Sequence, residues 1–126
     1  MNMICFHNPD EENAYLSNWY PSAFQYGSIT FTSMEQYMMY QKAATFSDSE
    51  IAARILQTDD VREIKALERA VSNYQEAVWN GRRQIIVYRG LLEKFRQNPD
   101  MAEQLRNTKD AILAETGRGR IFWDIR

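Results

Sequence analysis

The stretch 33–46 constrains the fold more than any other part of the chain. It opens with the pattern Ser33-x-x-Gln36, in which the hydroxyl can accept a backbone N–H and the amide can reach back toward the cap. Apart from Glu35 and Lys42, its residues are apolar, aromatic, small or uncharged polar. The pattern predicts a capped central helix against which the other elements pack.

The two charged residues of this helix are Glu35 and Lys42, seven positions apart. Seven residues are nearly two turns, so both side chains project from one face, about 10 Å apart along the axis and too far for a direct salt bridge. Met38 and Met39 lie between them. An acid and an amine flanking an apolar floor could hold a ligand of nucleoside size. The alternative is a solvated face, or separate partners elsewhere, since charged side chains are mostly exposed.

Cap, turn and periodicity signals predict the other elements of the chain. They place a polar loop at 10–15, a turn at 107–110 and an irregular, basic tail at Thr116–Arg120. The predicted elements are a strand Met3–Phe6, a hairpin pairing Phe24–Tyr26 with Ile29–Phe31 around Gly27, helices opening at Ser47, near Val61, at Asn73 and at Asn98-Pro99, and a strand Ile112–Glu115. Together they predict a mainly α protein with a small N-terminal β element, an α+β single domain over residues 1–126.

Composition excludes several classes of protein. A length of 126 residues suits one core, and a net charge of −2 gives no electrostatic case for non-specific nucleic-acid binding. The single Cys5 excludes an internal disulfide, and with the lone His7 it is too little for a zinc site. We therefore expect no metal and no cofactor. No apolar run approaches the ~18 residues of a membrane span, and the N-terminal residues lack the pattern of a signal peptide, which predicts no membrane and a cytoplasmic location. The oligomeric state stays open.

Standard phosphate-binding motifs are missing from the sequence. It contains neither G-x-x-x-x-G-K-[ST] nor G-x-G-x-x-G. The side chains suited to chemistry on a nucleotide are scattered along the chain: Glu35, Lys42, Trp79, Arg82 and Glu115. Their spacing alone does not join them into one site.

A resemblance joins them. The chain resembles the NADAR family, also called YbiA-like, over nearly its whole length, which implies the fold of that family. The order and spacing of the matching segments are shared. These segments are Phe6 to Asn8, Leu16-Ser-Asn-Trp19, Phe31-x-Ser33-x-Glu35-x-Tyr37, Gln41-Lys-Ala43, Val78-Trp79, Arg82, Lys94-Phe95, Gln97-Asn-Pro99, Leu113-x-Glu115 and Trp123.

The resemblance implies an N-glycosidase, a hydrolase that splits a base or amine from a phosphorylated ribose. The implied substrates are early riboflavin-pathway intermediates or ADP-ribose attached to guanine, so the partners would be a small phosphoribosyl or ADP-ribosyl molecule or an ADP-ribosylated nucleic acid. It implies catalytic positions at Lys42, Glu35 and Glu115. It implies substrate-binding positions at Trp79, Arg82, Asn18, Tyr37 and Trp123.

The residue types suit this chemistry. Breaking a C1′–N bond builds positive charge on the ribose, which a Glu35 carboxylate could stabilise. An uncharged Lys42 amine, among apolar neighbours, could attack C1′ and hold the opened sugar as a Schiff base. Trp79 could stack a base and Arg82 could grip a phosphate. The alternatives are that Trp79 is an ordinary core residue and Arg82 an ordinary surface residue.

The C-terminal segment departs from the family pattern. Where the family has acid-Ser-Pro-x-Asp-x-x-Trp-Gly, this chain has Arg120 at the Asp position and Asp124 at the Gly position, and the closing segment of the family is missing. Arginine stays protonated and cannot act as a general base. A positive charge there would oppose an oxocarbenium ion, which predicts slow turnover with retained ligand binding.

Two other functions therefore compete with the glycosidase. A binding module would keep the pocket for ADP-ribose-like ligands but would have lost turnover. An interaction protein would use exposed aromatic residues and have no nucleotide pocket. Release of a base distinguishes the enzyme from the binding module. Stabilisation by ADP-ribose distinguishes both of these from the interaction protein, which would not bind it.

Overall fold

The computed structural model describes residues 3–6, 17–106, 112–117 and 120–124. Five helices follow one another in the middle of the chain, with strands before and after them. The strands are β1 (Met3–Phe6), β2 (Pro21–Tyr26), β3 (Ile29–Ser33), β4 (Ile112–Gly117) and β5 (Arg120–Asp124). The helices are α1 (Met34–Thr45), α2 (Ser49–Leu56), α3 (Val61–Glu68), α4 (Glu76–Gln97) and α5 (Pro99–Arg106).

The strands form two small sheets. β2 and β3 pair antiparallel around Gly27, whose φ of 63° lies in the left-handed region that favours glycine. β4 lies between β1, to which it is parallel, and β5, to which it is antiparallel. In this register Glu115 lies opposite Phe6 on one side and opposite Trp123 on the other. The second sheet therefore joins the two ends of the chain.

Most of the predicted elements are confirmed. The strand at Met3–Phe6, the hairpin and the central helix lie where the patterns place them, and Pro99 is the first residue of α5, where its missing N–H costs no hydrogen bond. The mainly helical α+β class is confirmed as well. The predicted loop at 10–15 and turn at 107–110 lie outside the described residues.

Three local predictions are wrong. The tail Thr116–Arg120 is not irregular throughout, because Thr116 and Gly117 belong to β4 and Arg120 is the first residue of β5. Ser47 does not cap α2, because it has a positive φ of 58° and the side chain of Asp48 accepts the Ile51 N–H instead. Asn73 does not cap α4, which begins after Gln75 without a side-chain cap. In both helices the chain makes a left-handed turn at the predicted cap, so the helix starts later.

The start of α1 is fixed by reciprocal side-chain bonds. Ser33 Oγ accepts the backbone N–H of Gln36 at 3.1 Å. The amide oxygen of Gln36 accepts the N–H of Thr32 at 2.7 Å, so the box closes one residue before the cap. The amide nitrogen of Gln36 donates to the carbonyls of Ile55 and Thr58. One buried amide therefore ties the start of α1 to the end of α2.

α1 lies at the centre of the core and packs against α2, α3, α4 and β3. Its Tyr37 ring lies 5.6 Å from the ring centroid of Phe24 and 5.3 Å from those of Phe31 and Tyr26. The Tyr37 hydroxyl donates to the Ile86 carbonyl at 2.8 Å. Burial raises the pKa of this phenol above its usual range. The aromatic cluster thus fixes the hairpin, α1 and α4 relative to one another.

The packing of α4 against α1 requires a glycine at position 90. A Cβ there would lie 2.3 Å from Cε2 of Tyr37 and 2.6 Å from Cε of Met34. We expect Gly90→Ala to lower the free energy of unfolding by about 1–3 kcal/mol, since a packed core resists added volume. Gly81→Ala on the same helix is the control, because nothing lies within 4 Å of its Cβ position. Alanine should stabilise the helix there by about 1 kcal/mol. Urea titration of both variants measures the difference, and equal stabilities would contradict the predicted packing.

The end of α4 covers the outer edge of β2 with amide side chains. Gln97 accepts the Gln25 N–H at 2.7 Å and donates to the Gln25 carbonyl at 2.8 Å. Asn98 donates to the Ala23 carbonyl at 3.0 Å. We call these two side chains the amide clamp. It gives the backbone of the edge strand the partners that a neighbouring strand would supply.

Candidate functional site

Glu35 is held in the first turn of α1, where that helix meets the segment 17–20. Its backbone N–H donates to the Asn18 carbonyl at 2.8 Å. Asn18 also contacts α1 through its side chain, whose amide lies 3.4 Å from the sulfur of Met38. The same segment is fixed from α4 by Lys94, which donates to the Ser17 carbonyl at 3.2 Å. The backbone that carries the Glu35 side chain is therefore fixed from two sides.

The Glu35 carboxyl is buried with little compensation. Lys65 of α3 lies 3.8 Å from Oε1, and among the described residues no donor forms a hydrogen bond with that oxygen. Burial raises the pKa of Glu35 because it disfavours the charged form. Lys65, Arg83 and Lys42 oppose this shift, while the carboxylate of Glu68 adds to it. The site thus holds an acid that ionises less readily than an ordinary glutamate.

Lys42 lies two turns further along α1 and is buried as well. Its Nζ forms an ion pair and hydrogen bond with Oε1 of Glu68, and the two side chains are 10% and 16% exposed. The amine also lies 4.3 Å from the ring centroid of Tyr74 and 5.7 Å from that of Trp79. Ring faces attract a cation. A carboxylate and two aromatic rings therefore enclose the amine.

The two rings beside Lys42 are fixed by different elements. Tyr74 lies in the turn between α3 and α4, and its ring meets that of Phe46 edge-on at 5.3 Å. Trp79 lies in the first turns of α4, where its N–H donates to the Gln75 carbonyl at 3.1 Å. Trp79 is buried, whereas Tyr74 is partly exposed. The exposed ring therefore marks the side from which a ligand could approach the amine.

Sequence reasoning missed four charged or aromatic residues of this cluster: Lys65, Glu68, Tyr74 and Arg83. α3 supplies a counter-ion to each functional side chain of α1, Lys65 to Glu35 and Glu68 to Lys42. A signal for Glu68 was present, because it follows the buried Ile64 by four residues and so shares its face of the helix. A carboxylate on an apolar helix face needs a buried partner.

The structure brings some of the predicted site residues together. Asn18, Glu35, Lys42 and Trp79 belong to the cluster described above. Tyr37 lies in the aromatic core, and Met38 and Met39, the predicted apolar floor, are also core residues. Arg82 is exposed on α4, and its neighbour Arg83 interacts electrostatically with Glu35. Glu115 and Trp123 lie opposite each other in the terminal sheet.

The described residues lack two other features, a cluster of metal ligands and a membrane-spanning helix. No group of three or more His, Cys, Asp or Glu side chains there could hold a metal ion. No helix in that part of the chain has the length and apolar character to cross a bilayer. The arrangement that remains offers an amine, an acid and ring faces, the groups needed for acid–base or covalent chemistry on a sugar carrying an aromatic base.

Comparison with known proteins identifies relatives of this chain. The model of the NADAR domain family matches residues 5–126. A riboflavin biosynthesis protein of Vibrio vulnificus (strain YJ016) is 31% identical over 120 residues, which are 95% of this chain and 32% of that protein. An N-glycosidase of Acanthamoeba polyphaga mimivirus is 31% identical over 130 residues, covering 97% of this chain and 76% of that one. The chain thus spans only about a third of the first of these relatives.

A third relative and a solved structure agree with these matches. Protein irg-1 of Caenorhabditis elegans is 32% identical over 131 residues, covering 91% of this chain and 62% of that protein. The NMR structure of the Escherichia coli protein YbiA has the same fold, with a TM-score of 0.82 at 20% identity over 98% of this chain and 71% of that one. With the family model matching almost the whole sequence, the chain belongs to the NADAR domain family.

Proposed function

We propose that the chain is an N-glycosidase that hydrolyses the bond between a base or amine and a phosphorylated ribose. The observation that carries the proposal is the pair of buried side chains on one face of α1, the acid Glu35 and the amine Lys42. The relative named N-glycosidase supports the reaction, and the relative named riboflavin biosynthesis protein supports a substrate from the riboflavin pathway. A cytoplasmic site of action stays a prediction.

Lys42 is suited to act as the nucleophile. Its amine is held against Glu68 and two rings, so its position is defined before a substrate arrives. Once uncharged, the amine can form a bond from its lone pair to C1′ of the ribose while the bond from C1′ to the base nitrogen breaks. The C1′–O4′ bond of the ribose then breaks as the ring oxygen takes a proton from the amine, and the opened sugar is held as an imine until water releases it.

Glu35 is suited to act as the acid. Its carboxyl keeps its proton more readily than usual because it is buried, so it can give that proton to the nitrogen that leaves C1′. The carboxylate that remains then faces a positively charged sugar and can orient the water that attacks it. Each of these roles needs a carboxyl oxygen without other bonds, and Oε1 has that character among the described residues.

Trp79 and Tyr74 are suited to hold the base. Aromatic side chains stack on nucleobases, and both rings lie beside the amine that would attack the sugar. Arg82, exposed one turn after Trp79 on α4, is our proposed phosphate contact. Glu115 and Trp123 are proposed to close the site from the terminal sheet. The substrate class is an early riboflavin-pathway intermediate or ADP-ribosylated guanine, free or in nucleic acid.

A catalytically impaired binding module is the second candidate. Arg120 stands where the family has an acid, and a fixed positive charge near C1′ would slow ionisation of the ribose while favouring phosphate. Such a module would bind ADP-ribose and release no base.

One paired experiment tests both candidates. Release of the free base or amine is followed by chromatography, with an ADP-ribosylated-guanine oligonucleotide and a phosphoribosylamino-pyrimidine as substrates. Thermal melting with and without ADP-ribose is measured on the same preparation. Release of product supports the glycosidase. Stabilisation without release overturns it in favour of the binding module. If neither product release nor stabilisation is observed, both candidates are overturned in favour of an interaction protein.

A further inference from the structure

Glu68 is one of the four residues of the cluster that the family resemblance did not assign. It lies at the last position of α3, where its carboxylate is largely buried against Lys42. In the described part of the chain, this contact is the one hydrogen bond that the Lys42 amine makes. The rings of Tyr74 and Trp79 occupy two further sides of the amine and cannot accept a proton.

An ammonium group cannot attack carbon, because its lone pair carries the proton. A lysine that acts as a nucleophile must therefore lose that proton to a base within hydrogen-bond reach. We propose that Glu68 is this base and that it removes the proton from Lys42 when the sugar enters the site. The proposal rests on the proposed function, since it concerns the same lysine.

The step balances in atoms and charge. The proton moves from Nζ of Lys42 to Oε1 of Glu68, which turns the ion pair into two neutral groups. The freed lone pair forms the bond to C1′, and the electron pair of the C1′–N bond leaves with the base nitrogen. That nitrogen takes its proton from Glu35. The C1′–O4′ bond then breaks, the ring oxygen takes a proton from Nζ, and the opened sugar is held as a protonated imine. When water adds to C1′, its proton goes to the Glu35 carboxylate, the amine leaves uncharged, and Lys42 recovers its proton from Glu68.

The surroundings of the pair favour exchange of the proton inside the site. Glu68 has Lys42 on α1 as its direct partner and Glu35, also on α1, as an electrostatic neighbour. On its own helix, Lys65 is engaged with Glu35. Tyr74 follows α3 and covers the amine, and Arg83 of α4 interacts with Glu35. Transfer of the proton from Lys42 to Glu68 turns this ion pair into two neutral groups, so it leaves no uncompensated charge within the pair.

Imine formation with a free sugar measures the step directly. Ribose 5-phosphate opens to an aldehyde that an uncharged lysine captures, and cyanoborohydride fixes the product for mass spectrometry. The variants are Glu68→Gln, Glu68→Asp and, as the matched control, Glu63→Gln. Glu63 is an exposed carboxylate on the same helix, bonded to the Thr58 hydroxyl at 2.9 Å, so its loss removes the same charge away from the amine.

The pH profile of trapping distinguishes a Glu68 that removes the proton from Lys42 from a Glu68 that only holds the amine in place. With Glu68 as the base, we expect the trapping rate of the wild type to vary less than about tenfold between pH 6 and pH 9. Glu68→Gln should trap on the order of a hundredfold more slowly at pH 7, with a rate that climbs about tenfold per pH unit. Glu68→Asp should recover part of the rate, and Glu63→Gln should match the wild type.

Other outcomes overturn the proposal. A Glu68→Gln rate and profile equal to those of the wild type would reduce Glu68 to an ion-pair partner. If that variant does not fold, the wild-type profile decides, because a rate climbing tenfold per unit from pH 6 would mean that solvent takes the proton. A wild type that forms no adduct on Lys42 also overturns it.

The test is independent of the glycosidase reaction, because trapping a free sugar breaks no C1′–N bond. A wild type that releases no base yet shows Glu68-dependent trapping would overturn the proposed function alone. A wild type that releases base, with Glu68→Gln unchanged in both rate and pH profile, would overturn the role of Glu68 alone.

Discussion

Replacement of Lys42 is expected to abolish base release. Lys42→Ala removes the amine that would form the imine, so turnover should fall about a thousandfold or more, equivalent to more than about 4 kcal/mol in the barrier. Alanine also leaves the Glu68 carboxylate without its ion-pair partner, so a loss of activity in this variant alone could reflect a disturbed site.

Lys42→Arg is the variant that isolates the chemistry. Arginine keeps the positive charge opposite Glu68 and can stack on Tyr74 and Trp79, but its guanidinium stays protonated and forms no imine. We expect Lys42→Arg to melt near the wild-type temperature and to be as inactive as Lys42→Ala. Borohydride trapping should label the wild type and neither variant. Turnover by Lys42→Arg at a wild-type rate would exclude the covalent route.

Glu35→Gln is expected to lower kcat by about 10²- to 10⁴-fold with little change in KM, the range typical of a general acid or base. The amide keeps the size of the side chain but cannot donate a proton to the leaving nitrogen or balance charge on the ribose. An interaction made mainly in the transition state lowers kcat and kcat/KM together. A change confined to KM would make Glu35 a residue that only positions the substrate.

The same substitution should stabilise the folded protein. Burial raises the pKa of Glu35 above its ordinary value of 4.5, so the native state binds this proton more tightly than the unfolded chain does. The stability that Glu35 contributes is therefore complete below its ordinary pKa and is lost as the pH rises through the raised value. Glutamine does not titrate and avoids that loss, by about 1–3 kcal/mol at neutral pH.

Thermal melts between about pH 4.5 and pH 8 measure this effect. The melting temperature of Glu35→Gln should exceed that of the wild type by several degrees at neutral pH, and the difference should shrink toward the acid end. Glu50→Gln is the control, because Glu50 is exposed and pairs with Arg54 across one turn. A difference that stays constant with pH would show that the native state does not alter the ionisation of Glu35.

The predictions from sequence succeeded where one local signal decides the structure. The Ser33 cap, the Gly27 turn and Pro99 each act through neighbouring backbone groups, so the central helix, the hairpin and the start of α5 were predictable. Helix starts failed at Ser47 and Asn73, because each residue adopts a positive φ that a capping pattern does not reveal. Strand β5 was not predicted for a similar reason, because its strand conformation depends on pairing with β4 and not on a local signal.

The site was predictable only in part, for the same reason. The periodicity of α1 places Glu35 and Lys42 on one face, and the family resemblance adds Trp79. The counter-ions Lys65 and Glu68 come from α3, whose packing against α1 is a tertiary contact. Such a contact decides whether a charged side chain is paired or solvated, and the spacing of residues within α1 does not reveal it.

The amide clamp has a consequence for how the protein behaves at high concentration. A two-stranded sheet has two open edges, and an unpaired edge can recruit the strand of another molecule and start aggregation. The Gln97 amide occupies both the donor and the acceptor of Gln25, and Asn98 occupies the next outward carbonyl, that of Ala23. An incoming strand would have to displace these bonds before it could extend the sheet, so side chains at the end of a helix act here as a barrier to self-association.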